Sequence, residues 1–170
     1  MVLCGISLEK LLKTALLIKV EVEAILEGES FTWMDFDSFE SNFSEIDGFI
    51  AMGADRVVYE LDWNYIVKIG AYSDGIDANK RESEKWEHCT ELGCSDRLAE
   101  IVYISADYKI LIMERLHFSS YTSDVSEAED WLVDNHLKIN DIHSFNIMRT
   151  DEEYWKIIDY ASSVVDGKLV

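Results

Sequence analysis

The stretch Lys138–Ala161, KINDIHSFNIMRTDEEYWKIIDYA, decides how this chain is read. It carries Asp141, Asn146 and Asp159, two carboxylates and one amide separated by five and then thirteen residues. A short polar loop holds the first two. Tyr154 to Ile158 are of β-forming type and lead into the third. A tight loop followed by a hairpin brings such groups to one point. Oxygen donors meeting at one point suit a hard cation such as Mg²⁺, which keeps several of its own waters.

At these residues the chain resembles the kinases. DIHSFNI (141–147) is similar to the D-x-H-x-x-N catalytic loop, in the version found among aminoglycoside-phosphotransferase-like enzymes and small bacterial and phage kinases. IIDYA (157–161) resembles the strand and metal-binding Asp of the D-F-G element, with Tyr160-Ala161 in place of Phe-Gly. The resemblance implies ATP and Mg²⁺ as cofactors. Asp141 would orient or deprotonate the attacking hydroxyl, and Asn146 and Asp159 would hold the metal that bridges the phosphates.

Working upstream, FIAMGADRVVYEL (49–61) predicts a strand, a turn at Gly53-Ala54-Asp55 and a second strand from Arg56 to Leu61. Asp62-Trp63-Asn64 makes the next turn, and Tyr65 to Ile69 a third strand, which together give an antiparallel meander. Asp77 to Leu92 is charged and lacks proline, which predicts a helix with Asn79, Glu82, Trp86 and Cys89 on one face. Leu98–Ile104 and Tyr108–Met113 predict two more strands. By the resemblance these are the nucleotide-binding lobe. The Gly53 turn would cover the phosphates, and Lys68 would touch them. Glu82, or failing that Glu84, would pair with Lys68, and Met113 would lie against the adenine. Backbone groups from Glu114 to Leu116 would recognise the base. On its own, Lys68 reads equally as a solvated strand lysine, and the helix as a surface helix.

Departures from the kinase pattern are specific. The phosphate turn has one glycine where the pattern has three, with Asp55 adding negative charge that Arg56 offsets. Ile139 stands where the family has His before the catalytic Asp, and eleven residues follow Asp159. That predicts a reduced second lobe. The expected fold class is α+β and kinase-like: an antiparallel sheet with one helix of the kinase αC type, a reduced helical second lobe and extra N-terminal helices. The expected division is a helical extension over 1–48, a sheet lobe over 49–117 and a truncated lobe over 118–170.

The remaining segments carry less chemistry. Ser7 to Glu27 reads as a helix, with Leu8, Leu11, Leu12, Ala15, Leu16, Val22, Ile25 and Leu26 on an apolar stripe, Ser7 as N-cap and Gly28 as stop. It packs on its own domain or pairs with a partner, a second copy included. Residues 29–48 alternate acidic and aromatic side chains, with a short helix over Asp37–Glu45, and suit docking on the next lobe or a protein-binding face. Ser126-Glu127-Ala128-Glu129 has the form of a capping box, opening a helix to about His136. His136 and His143 are candidate ligands or acid–base groups. In the resemblance His143 is more often a structural loop residue.

Composition bounds the function. Apolar residues make up 48% and aromatics 12%, enough for a packed core, so disorder is not expected. The net charge of −19 opposes direct binding to nucleic acid or to anionic membranes and fits a basic protein partner or substrate. No apolar run reaches the ~18 residues of a membrane span, and no signal peptide is read, so a cytoplasmic protein is expected. Cys4, Cys89 and Cys94 form no disulfide framework or paired metal motif, and read as buried or idle thiols in a reducing compartment. Two functions follow: a minimal ATP/Mg²⁺-dependent phosphotransferase acting on a protein or small-molecule hydroxyl, or a catalytically weak or inactive pseudokinase-type acidic protein. The latter would inhibit a partner such as a nucleic-acid-binding or defence enzyme.

Overall fold

The computed structural model describes residues 2–3, 6–28, 43–53, 56–139, 142–152 and 154–161. Among them the elements run β1 (Val2–Leu3), β2 (Ile6–Ser7), α1 (Leu8–Gly28), β3 (Phe49–Met52), β4 (Arg56–Glu60) and β5 (Tyr65–Gly70). Then come α2 (Ser73–Leu92), a 3₁₀ turn (Ser95–Arg97), β6 (Ile101–Ile104), β7 (Ile110–Glu114) and β8 (Phe118–Ser119). Last are α3 (Thr122–Asp134), β9 (Ile147–Arg149) and β10 (Trp155–Ile157). The chain forms two compact units, Met1–Asn79 with Val102–Met113, and Lys80–Ile101 with Glu114–Val170. The described residues thus form an α+β fold with a five-stranded antiparallel sheet and three α-helices. None of those helices is long and apolar enough to cross a membrane.

In the first unit the sheet runs β3-β4-β5-β7-β6. The meander is sequential, and the later hairpin inserts its second strand beside β5. Alternation sends Val57, Tyr59, Tyr65, Val67 and Ile69 into one core with Leu11, Ala15, Ile18 and Val22 of α1. Helix α1 therefore packs on the sheet of its own unit. The Ser7 hydroxyl accepts from the Lys10 N–H at 3.4 Å, as an N-cap does. Strand β5 is buried on both faces, with Lys68 and Gly70 opposite the Val67–Ile69 side.

Several element bounds differ from the sequence reading. Helix α2 begins at Ser73, four residues before the expected Asp77. Gly75 obscured its first turn, since glycine disfavours helix. Tertiary contact explains it: a Cβ on Gly70 would lie 2.8 Å from the Ile76 nitrogen, so the strand end and helix start meet without side chains between them. The strand expected from Tyr108 starts at Ile110, because Tyr108 adopts φ 56° in the preceding turn.

In the second unit the expected strand from Leu98 is confined at its start. Leu98 and Ala99 are consecutive fully buried residues, not an alternating pair. Ala99 instead donates to the Ile157 carbonyl at 2.9 Å beside a parallel Leu98–Ile157 bridge. The unit's sheet runs β10-β9-β8. Helix α3 begins at Thr122 and not at Ser126, because the Asp124 carboxylate accepts from the Tyr121 N–H at 2.7 Å and closes the first turn. Trp131 of α3 meets Trp155 of β10 edge to face, with ring centres 6.0 Å apart. The helix expected over Asp37–Glu45 falls largely outside the described residues.

Candidate functional site

The β9–β10 hairpin pairs Ile147 with Ile157, and the Ile158 N–H donates to the Asn146 carbonyl at 3.0 Å. Asn146 and Asp159 therefore stand at the same open end of one hairpin, one ladder position apart along the strand. Thirteen residues separate them in sequence, and the hairpin alone brings their backbones together. His143 braces the loop: its Nδ1 accepts from the Phe145 N–H at 3.2 Å, and its Nε2 lies 3.1 Å from the Asn146 amide. The ring thus touches both the loop backbone and the Asn146 side chain. Asp141, the candidate base, lies outside the described residues.

Helix α2 grips the segment that follows. The Lys85 ammonium donates to the Tyr160 carbonyl at 2.6 Å, and the Arg81 Nε to the Ala161 carbonyl at 3.2 Å. The fully buried Glu82 accepts from the Tyr160 N–H at 3.3 Å. The Tyr160 hydroxyl donates to the Ala99 carbonyl at 3.0 Å. Three side chains within about one helical turn thus fix the backbone after Asp159. Burial pulls the Lys85 ammonium down to about 8, Glu82 and Asp159 pull back, and Arg81 adds to the depression. Glu84, the fallback partner for Lys68, forms a surface pair with Lys80 at 3.8 Å.

The first unit carries the other candidates. Lys68 is 5% exposed, and β4–β5 register sets it opposite Val58, on the same face as Arg56, which is 8% exposed. That face lies away from the α1 core. Asn79 organises it: its amide donates to the carbonyls of Lys68 at 3.4 Å and Tyr108 at 2.8 Å, and accepts from Arg56 at 3.3 Å. Lys68 and Glu82 belong to different units. The Gly53 N–H donates to the Arg56 carbonyl at 2.9 Å, and a Cβ there would meet only that oxygen, at 3.8 Å. Residues 54 and 55 of the turn are outside the described residues.

Met113 is fully buried. The Glu114 N–H donates to the Glu100 carbonyl at 2.8 Å, so this backbone donor is taken. The Glu114 carboxylate holds Lys156 at 2.6 Å and accepts from the Glu100 N–H at 3.1 Å. Leu116 is half-buried.

What the sequence reading missed is which polar side chains hold the backbone and each other. Arg81 and Lys85 fall on the helix that reads equally as a surface helix, and Asp124 precedes the expected helix start at Ser126. Asp124 is fully buried and forks onto Arg149 with two 2.7 Å bonds. Tight helical spacing of Arg81, Glu82 and Lys85 was the one available signal. Among the described residues no three His, Cys, Asp or Glu side chains form a metal cluster. Cys89 and Cys94 are buried and outside any disulfide, and burial, with Cys94 adding, pushes the Cys89 thiol up to about 12. Such thiols are poor nucleophiles and poor metal ligands. Compared with protein-family models and with characterised proteins, the chain matches none.

Proposed function

We propose that the chain is an ATP- and Mg²⁺-dependent phosphotransferase of minimal size, acting on a hydroxyl of a protein or small molecule. The observation that carries this reading is the placing of Asn146 and Asp159 at one hairpin end, with a 3.0 Å ladder bond beside them. Two oxygen-bearing side chains at that end fit a hard cation. Lys68 and Arg56, two buried cations on one sheet face, fit anionic phosphates and meet the need for positive charge that a −19 chain otherwise lacks. Bound Mg²⁺ would supply charge neutralisation on the phosphates. Asp141 would take the hydroxyl proton, His143 hold Asn146 in orientation, and Arg81, Glu82 and Lys85 fix the Asp159 backbone. The run β3, β4, β5, α2, β6, β7 lies upstream of the loop, with β8 and α3 between, and this run supports the kinase resemblance.

A thermal-shift series with ATP, with and without Mg²⁺, tests the reading. ATP and Mg²⁺ together should raise the melting temperature of the wild type and leave Asp159→Asn unmoved. Equal shifts in both proteins, or none in either, reject it. Transfer of the γ-phosphate that survives unchanged in Asp141→Ala would remove the proposed base.

A second reading is a pseudokinase-type inhibitor of a basic protein. One observation favours it: Lys109, Arg149 and Lys156 are spent on internal ion pairs, leaving the −19 charge to the surface. Pull-downs at low and high salt separate the two. A basic partner lost as the Debye length shrinks supports inhibition.

A further inference from the structure

The outward face of α1 differs from the rest of this acidic chain. Leu16, Leu17 and Val20 are 53%, 58% and 62% exposed there, beside exposed Lys13, Ala24 and Glu27. Lys13, Leu17, Val20, Ala24 and Glu27 are spaced four, three, four and three residues apart, the seam spacing of paired helices. This stripe lies opposite Leu11, Ala15, Ile18 and Val22, so the core of the unit does not require it. Exposed apolar residues gathered in one stripe mark a contact surface.

Charge along the helix identifies the occupant. Exposed Lys10 and Lys13 outweigh exposed Glu9 in the first half, and exposed Glu21 and Glu27 stand in the second. Lys19 and Glu23 already pair with each other at 2.9 Å. The helix as a whole carries three lysines and four glutamates, so it escapes the repulsion that −19 imposes on other surfaces. A parallel helix pair would set Lys13 on Lys13 and Glu27 on Glu27. An antiparallel pair sets opposite charges at both ends.

We propose that the α1 stripe binds a second copy of this chain, the two helices running antiparallel across the Leu17–Val20 centre. Leu17 of one copy meets Val20 of the other, Lys13 meets Ala24, and Lys10 meets Glu27 at each end. The contact is self-complementary, as a two-fold dimer requires. It does not depend on the phosphotransfer reading.

Sedimentation equilibrium of the full chain across a concentration series tests this. The wild type should show a concentration-dependent dimer. Leu17→Lys/Val20→Lys should be monomeric at every concentration, and at dilutions where the wild type is itself monomeric its melting temperature should match the wild type's, because both side chains face outward. Lys10→Glu and Glu27→Lys should each weaken the dimer roughly tenfold, since every swap acts at two symmetric ends. An equimolar mixture of the two, or the double variant, should recover wild-type affinity. A monomer at every concentration overturns the proposal, and so does a mixture that fails to recover. A lower melting temperature in Leu17→Lys/Val20→Lys at dilutions where the wild type is monomeric also overturns it, because the stripe would then be needed by the single chain.

Discussion

Asp124 shows how much one buried carboxylate organises. It closes the first turn of α3 through the Tyr121 N–H and forks onto Arg149, whose guanidinium also lies 4.2 Å from the Tyr121 ring centre. Asp124→Ala leaves Arg149 partly buried without its partner and should cost about 3 kcal/mol in urea unfolding. Arg149 holds the Asp124 carboxyl below its usual 3.8. A pKa lowered by folding stabilises the fold above the unfolded value, and the gain is lost as pH falls through the lower folded one. The gap between wild type and Asp124→Ala should therefore narrow below about pH 4. A gap constant down to acid unfolding would refute the ion pair's role. Lys85 raises stability with pH in the same direction but for the opposite reason, since its charge is penalised by burial. Its pKa falls from 10.5 to about 8, so burying the charge opposes folding below that value, and the penalty lifts as pH rises between the two. Stability measured across that window should climb more steeply in wild type than in Lys85→Met.

At the scale of elements, three glycines separate two kinds of constraint. Gly93, at φ +74°, ends α2 with nothing near its missing Cβ, so Gly93→Ala should cost only the left-handed backbone term of about 1 kcal/mol. Gly70 is ordinary in backbone but pressed on Ile76 and Gly75 backbone within 2.9 Å, so Gly70→Ala should cost about 2–3 kcal/mol by overpacking. Gly48 combines both, with φ +83° and the Glu60 oxygen 2.8 Å from a Cβ, and its alanine variant should be the least stable of the three. Urea midpoints in another order would break this account. The meander, α1 and the β9–β10 hairpin were legible because period and turn residues agree there. The starts of α2 and α3 were not: one rests on a glycine pressed against a neighbouring strand, the other on a carboxylate finding its arginine twenty-five residues away.

The whole molecule is governed by its charge. At −19, repulsion among carboxylates acts against compaction, while the ion pairs holding Arg149 and Lys156 are partly shielded from solvent and respond less to salt. Raising NaCl to roughly 0.5 M should therefore raise the melting temperature, since the Debye length falls to a few Å. A drop would mean that exposed ion pairs outweigh the repulsion.

By itself the sequence determined the α+β class, the order of strands and helices, and the loop carrying Asn146, because these follow from local periodicity and turn chemistry. Only the tertiary structure decided which charges are buried and what they hold. Half-buried Lys85 binds a backbone carbonyl, buried Asp124 binds Arg149, and buried Arg56 joins buried Lys68 on one sheet face. Burial of a charge depends on residues distant in the chain, and no local pattern encodes that.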